Sequence, residues 1–338
     1  MIILGIETSC DETAVAVVTD QKQVLGSTVL SQLEDHRPFG GVVPEIAARA
    51  HLSHLPKMIA STLEKANCTV ASLDAVAATI GPGLIGGLVV GSTVGKALAW
   101  GAGKPFLGIN HLEGHALSPR LIEDIEFPYL LLLVSGGHTQ LLVVKGVGQY
   151  ELLGTTIDDA VGEAFDKVAK MMDLAYPGGP KVEKLAQGGQ SDAYAFPRPL
   201  KKTAEPNFSF SGLKTAVRYA LQKEADVTEV VKKNIAASFQ QAVAETLVDR
   251  IHKALEISGP VTACIVAGGV AANQFLRMHL EEACAKKGLP LIAPPLALCT
   301  DNGEMIAWAG IERFKLGLTD GLEMKPRPRW PLMEVKHD

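Results

Sequence analysis

The chain has 338 residues, 47% of them hydrophobic and 20% charged, with a formal net charge of −5. That length buries a large core and fits roughly two domains. The acidic balance excludes a protein that wraps nucleic acid with its whole surface, so any such contact must come from a local basic patch or a partner.

Aromatics make up 5% of the chain against 33 glycines. The core must therefore be built from Val, Leu, Ile and Ala with many tight turns, the composition of an α/β protein with buried sheets. The five cysteines (Cys10, Cys68, Cys264, Cys284 and Cys299) are odd in number and widely spaced, with no CxxC pair. They read as reduced thiols, with no disulfide framework and no disulfide-linked partner. The start, Met1 to Ile6, lacks the basic region of a secretory signal. The longest apolar stretch, Leu84 to Trp100, contains Lys96 and several glycines, and reads as a buried core helix rather than a membrane span. A soluble, cytoplasmic protein without a membrane partner is expected.

In chain order, Ile2–Glu7, Thr13–Thr19 and Val24–Leu30 are predicted strands. Pro44 opens a helix whose apolar residues keep helical spacing to Leu63. Leu73–Ile80 is a strand ending in Gly81-Pro82-Gly83, Leu84–Trp100 a helix whose small residues allow close packing, Phe106–Asn110 a strand, and His111 onward a helix. The pattern then restarts. Pro128–Ser135, His138–Val144 and Glu151–Thr156 are predicted strands and Asp158–Met172 a helix. Later come the strand Val261–Ala267, the helix Ala271–Lys287 and the strand Leu289–Ala293. Three strands, helix, strand, helix, strand thus occurs twice, the sign of a duplicated domain. The second copy is interrupted over about 173–228, a Gly-, Pro- and Lys-rich insertion with one predicted helix near Gly212–Lys223. A connection that long points to function.

Three polar turns follow apolar strands: Glu7–Glu12, Ser135–Thr139 and Gly268–Asn273. Glycines there let the backbone approach phosphate, and successive N–H groups attract anions. A helix beginning at Ala271 would add its N-terminal partial charge. Two familiar loops are excluded. Gly91 to Lys96 has the wrong spacing for a phosphate loop and no Ser or Thr after the Lys, and Gly268-Gly269-Val270 is not a dinucleotide fingerprint. Ser9, Asp11 and Glu12 stand on the phosphate side of the first turn. The two acids either position a cation or water there or simply solvate it.

His111-Leu112-Glu113-Gly114-His115 places two imidazoles four residues apart. On a helix these share one face and can share one ion, zinc or iron(II) by donor type, the alternative being a surface pair. The zinc-protease pattern HExxH fails, because the acid comes two positions after the first His and is turned about 200° around the helix. The best distant third ligand is Asp301, which equally suits an N-cap of the final helix. His138 is a further candidate that reads better as a substrate-facing donor. His36, His51, His54, His252, His279 and His337 show no comparable grouping.

The segments Gly5–Thr13, Gly40–Glu45, His111–His115, Val134–Thr139, Tyr176–Pro180, Phe208–Thr215, Gly268–Asn273 and Arg327–Pro331, in this order over essentially the whole chain, resemble the bacterial TsaD family, formerly called O-sialoglycoprotein endopeptidase-like. Leu112 departs from the Met common there. The resemblance implies a duplicated ribonuclease-H-like α/β fold, that of actin, the heat-shock chaperone ATPases and sugar kinases, with two lobes around a nucleotide cleft. An N-terminal lobe would span 1–125 and carry the His ligands. A C-terminal lobe would span 126–300, its insertion lining the cleft, and a helix and tail over 301–338 would pack back on the N-terminal lobe.

The implied activity is transfer of threonylcarbamoyl from threonylcarbamoyl-AMP to the exocyclic amine of the adenosine 3′ of the anticodon, in tRNAs reading codons that begin with A. The implied partners are TsaB and TsaE, with TsaC supplying the intermediate, and tRNA. Carried over by position, His111, His115 and Asp301 would hold one divalent metal per chain, iron(II) ahead of zinc. Val134, Ser135, Gly136, Gly137, His138, Asp166, Gly179, Glu183 and Asn273 would bind substrate, with Gly268 and Gly269 holding phosphate and sugar; the occupant would be threonylcarbamoyl-AMP or ATP, ADP or AMP. Glu183 otherwise reads as part of a solvated helix face. Lys201, Lys202 and Lys214, among basic residues that include Lys181, Lys184, Arg198 and Arg218, are candidate tRNA contacts with Arg327 and Arg329. A small-molecule kinase of the same fold, a metallopeptidase and a non-catalytic nucleotide sensor are the alternatives.

Overall fold

The computed structural model describes residues 1–335, without the side chains of Leu296 and Ala297. His337 lies outside the described residues. Two compact units emerge: Met1–Asp124 with Gly146–Tyr150 and Pro294–Asp338, and Ile125–Lys145 with Glu151–Ala293.

In the first unit, β1 (Ile2–Glu7), β2 (Glu12–Thr19) and β3 (Val24–Ser31) form an antiparallel meander. The short α1 (Leu33–His36) and the long α2 (Pro44–Lys65) lead to β4 (Ala75–Gly81), which pairs parallel with β1. Then come α3 (Ile85–Ala102), β5 (Phe106–Asn110) parallel to β4, α4 (His111–Leu117) and α5 (Pro119–Ile122). The sheet order is β3-β2-β1-β4-β5. β1, β4 and β5 are buried almost throughout, as apolar strands covered on both faces should be, while edge strand β3 is half exposed.

The second unit repeats this. β6 (Tyr129–Val134), β7 (Thr139–Gly146) and β8 (Gln149–Thr155) are followed by four helices: α6 (Val161–Met171), α7 (Gly178–Ala186), α8 (Ser211–Lys223) and α9 (Glu229–Ile257). β9 (Cys264–Ala267), α10 (Gln274–Ala285) and β10 (Leu291–Ile292) complete it. Its order, β10-β9-β6-β7-β8, is the first sheet's order read from the other edge, with β6 antiparallel to β7 and parallel to β9. The chain returns to the first unit through α11 (Leu296–Cys299) and α12 (Gly303–Lys315). α12 lies hard on β1 and β2: a Cβ at Gly5 would sit 2.4 Å from the Ala307 nitrogen, and one at Gly303 2.5 Å from the Ala16 nitrogen.

Several expectations are corrected. The stretch 173–228 holds two helices, α7 and α8, because Asp166 and Pro177 organise the start of α7. The 29-residue α9 has no counterpart in the sequence reading. Its buried residues include Ser238, Gln240, Thr246 and Arg250, which break the apolar periodicity that marks a helix. The helix expected from Ala271 begins at Gln274, after a 3₁₀ turn over Gly269–Ala272. The helix α3 is long and apolar enough to cross a membrane by length and composition, and 33% of it is buried. Its glycine face packs inward while Ile85, Val89 and Trp100 are exposed, so it is not the fully buried helix expected.

Candidate metal centre and glycine turns

α4 starts where β5 ends. Asn110 caps it, its Oδ1 accepting from the Leu112 N–H at 2.8 Å while its Nδ2 donates to the Trp330 carbonyl. Every residue of α4 is buried. The i and i+4 histidines share a face, their rings 4.8 Å apart and edge to face. Asp301 meets both: its Oδ1 is 3.1 Å from His115 Nε2 and 3.5 Å from His111 Nε2. Asp301 is available for this because it is not the helix cap. The neighbouring Asn302 caps α12, its Oδ1 accepting from the Met305 N–H at 2.8 Å.

The three donor atoms lie within 4.8 Å of one another. Ligands about 2.1 Å from a tetrahedral ion sit about 3.4 Å apart, so the two nitrogen–oxygen separations fit a shared ion, and three protein ligands leave a position open. Nitrogen and carboxylate donors suit zinc or iron(II).

Behind the candidate ligands lies a residue that the sequence marks only as the start of the first polar turn. Glu7, wholly buried, accepts through Oε2 from Thr79 Oγ1 at 2.5 Å and from His111 Nδ1 at 3.0 Å, and through Oε1 from the Ser9 N–H. Ser9 Oγ is 3.1 Å from the same His111 nitrogen. Burial alone would push His111 down, but Asp301 and Glu7 outweigh it and bring the ring up to about 9. Burial pushes the Glu7 carboxyl up, yet the His111 charge and hydrogen bond leave it below the ordinary range. Two carboxylates converging on one ring make this a place that favours positive charge, and so suits a cation. The signal available in the sequence was a carboxylate ending an apolar strand.

Of the remaining first-turn residues, Asp11 is buried and Glu12 half-buried. Burial, then the charges of Asp301 and Asp11, push the Glu12 carboxyl up to about 9. Glu113 points away from the ligand face, as its 200° offset requires. Its carboxylate accepts from the Tyr150 hydroxyl at 2.8 Å and from Arg313 Nη1 at 3.4 Å. It is committed to these partners and not poised as a peptidase base.

In the second unit, Ser135 and His138 close the turn between β6 and β7. The Ser135 N–H donates to the His138 carbonyl at 2.8 Å, and Ser135 Oγ accepts from the N–H groups of Gly137 and His138 at 3.3 and 3.0 Å. From there the predicted substrate residues form a closed circuit. The Gly162 N–H at the start of α6 donates to the Ser135 carbonyl. Asp166, one turn on, accepts from the Gly178 N–H at 2.7 Å and from Gly179, holding the start of α7. Glu183 on α7 accepts from the Gln274 N–H at 2.7 Å. It therefore caps α10 and is not merely a solvated face. Asn273, buried, caps the same helix by accepting from the Leu276 N–H at 3.0 Å and donates to Gln240 Oε1 at 3.0 Å. Gly268, at φ +94°, brings the circuit back, since a Cβ there would lie 2.5 Å from the Val134 carbonyl oxygen.

Four glycines of this circuit, Gly136, Gly137, Gly179 and Gly269, face open space. The circuit is a frame whose unfilled positions are bare backbone, which is what close approach of a phosphate or sugar requires.

The basic candidates differ among themselves. Lys201 and Lys202 are exposed on a loop tied down by Arg250 and Lys253 of α9. Lys214 is committed to Asp159 at 2.7 Å, which weakens it as a phosphate contact. Arg198 pairs with Glu245 at 2.9 Å, and Arg218 lies 5.4 Å from the Tyr219 ring centre. Arg327 pairs with Glu334 and lies 5.1 Å over the Trp330 ring, whereas Arg329 is exposed.

Two sheets of one order, each a meander joined to a parallel pair, define the duplicated fold of actin, the sugar kinases and the heat-shock chaperones. Solved structures agree. The chain is similar to HypF of T. kodakarensis (TM-score 0.63, 15% identity, 94% of this chain and 48% of that one). It is also similar to component A of the Acidaminococcus fermentans (R)-2-hydroxyglutaryl-CoA dehydratase (TM-score 0.53, 18% identity, 91% and 96%). Within that class the chain belongs to the TsaD family, tRNA N6-adenosine threonylcarbamoyltransferase, whose model matches residues 23–308. Curated relatives of that name include those of Paramagnetospirillum magneticum, 58% identical over 98% of this chain and 97% of its relative, and Rhizobium meliloti, 57% identical over 98% and 95%.

Proposed function

We propose that the chain transfers threonylcarbamoyl from threonylcarbamoyl-AMP to the exocyclic amine of the adenosine 3′ of the anticodon, in tRNAs reading codons that begin with A. The observation that carries this is identity of 58% over nearly the full length of a tRNA N6-adenosine threonylcarbamoyltransferase. In the reaction a carbon–nitrogen bond forms at the carbamoyl carbon, the bond to the phosphate oxygen breaks, AMP leaves and the amine loses a proton. AMP is a good leaving group, whereas the amine is a poor nucleophile because its lone pair is delocalised into the ring. Catalysis therefore rests on alignment and on making the carbonyl more electrophilic.

His111, His115 and Asp301 would hold one divalent ion, iron(II) ahead of zinc, which supplies Lewis acidity toward a carbonyl. Glu7 and Ser9 hold the His111 ring. The bare backbone at Gly136, Gly137, Gly179 and Gly269 would take the adenylate, in line with their unfilled faces. Asp166, Glu183 and Asn273 support that frame through their hydrogen bonds, rather than acting as free side chains. A kinase of the same fold would leave the two histidines and Asp301 without a task. TsaB and TsaE are the proposed working partners, TsaC the proposed source of the intermediate, and the cytoplasm the proposed compartment.

The test is reconstitution: unmodified tRNA, threonine, bicarbonate and ATP with the TsaB, TsaC and TsaE proteins, with and without this chain. Modified adenosine is expected only with it, and equal yields without it overturn the proposal. Metal analysis of protein purified without oxygen is expected to find one ion per chain, lost in His111→Ala.

A further inference from the structure

The metal ligands come from two elements, α4 and the start of α12, and they are not equally supported. His111 is held from behind by Glu7 and Ser9. His115 is not: among the described residues its buried Nδ1 has no hydrogen-bond partner. A metal-binding imidazole ordinarily donates its second nitrogen to an outer group that fixes the ring. With none, the aim of His115 is set by where the backbone of α4 lies and how that helix is rotated.

α4 has only seven residues, too few to hold its own orientation. Two of its contacts bear directly on its orientation against α12. At Gly114 the helices touch, since a Cβ would sit 2.9 Å from Ile306 Cδ1. On the flank opposite the ligands, Glu113 joins Arg313 of α12 at 3.4 Å and Tyr150 at 2.8 Å. Glu113 is wholly buried and Arg313 nearly so, so neither charge can turn to water if the other moves.

We infer that Glu113, clamped between Arg313 and Tyr150, is a positioning residue for the metal centre: it sets the rotation of α4 against α12 and thereby aims His115 at the site completed by Asp301. The inference rests on the metal reading of His111, His115 and Asp301 and adds a residue whose side chain touches none of them.

The test uses full-length protein loaded with Co(II), read by binding titration and by the visible ligand-field spectrum. Glu113→Gln is expected to weaken Co(II) binding by roughly 10–100-fold and to shift the spectrum at saturation. Tyr150→Phe, which removes one hydroxyl, is expected to shift both in the same direction by less. Gly26→Ala, whose Cβ would press on the Thr62 carbonyl at 2.7 Å on the far side of β3, is expected to lower the melting temperature and leave affinity and spectrum unchanged. Wild-type affinity and spectrum in both Glu113→Gln and Tyr150→Phe overturn the inference. If Glu113→Gln does not fold, Tyr150→Phe decides alone. His115→Ala separates the two levels. Unchanged Co(II) binding there overturns the metal centre and this inference with it, whereas loss there with intact Glu113→Gln and Tyr150→Phe overturns only the role of Glu113.

Discussion

A buried carboxylate survives only if its oxygens are matched, and Glu7 is matched by a threonine hydroxyl, a backbone N–H and an imidazole. In Glu7→Gln, one accepting oxygen becomes a donating amide. That amide must face either the Ser9 N–H or the His111 nitrogen, and each encounter sets donor against donor. Metal retained after dialysis should fall, with affinity weakened roughly 10–100-fold; full retention would show that the bond behind His111 does not tune the site. The histidine pair was legible because i, i+4 spacing is a local property. Whether Asp301 was a cap or left over to face the histidines was not legible, because that hung on Asn302 taking the cap one residue on. Glu7 was visible only as the start of a turn, because nothing in a strand's sequence says which buried neighbours its last residue meets.

At the scale of elements, the glycines of α3 are what let the turn after β1 sit where it does. A Cβ at Gly87 would lie 2.1 Å from the Thr8 carbonyl oxygen, and Thr8 Oγ1 donates to the Gly87 carbonyl at 2.9 Å. Backbone cannot give way as a side chain can, so Gly87→Ala should destabilise by about 1–3 kcal/mol despite its better helix propensity. Gly101, in the same helix with nothing near its would-be Cβ, is the counter-case. Gly101→Ala should stabilise by about 0.4–1 kcal/mol. Urea denaturation of both variants checks the pair, and shifts of the same sign would refute the argument. Close packing of this helix was readable from its small residues. Its exposed stripe of Ile85, Val89 and Trp100 was not, because apolar side chains on both faces of a helix look like core until a neighbour is found missing. The helix α9 was not legible for the opposite reason: buried Gln240 and Arg250 look like surface until Asn273 is seen to donate to the first and the loop carbonyls of Glu205 and Asn207 to accept from the second.

At the scale of the whole molecule, a chain of net charge −5 that acts on tRNA must concentrate its attraction in a few residues, and the structure sorts those the sequence could only enumerate. Lys201 and Lys202 stand exposed on a loop whose carbonyls at Lys201 and Thr203 accept from Lys253. A firmly held loop loses little freedom on binding, which favours these two as phosphate contacts. Lys214 is already paired with Asp159, which also holds Lys167 at 2.8 Å, so reaching a phosphate would mean breaking a formed ion-pair cluster. Each phosphate contact contributes about one counterion to the salt dependence of binding. In tRNA titrations over a range of salt, the double change Lys201→Ala and Lys202→Ala should therefore flatten the slope of log affinity against log salt by about two. Lys214→Ala should leave that slope nearly unchanged. The reverse ranking would move the tRNA-facing surface away from the 200–207 loop and onto α8, even though both lie in the same insertion of the same charge.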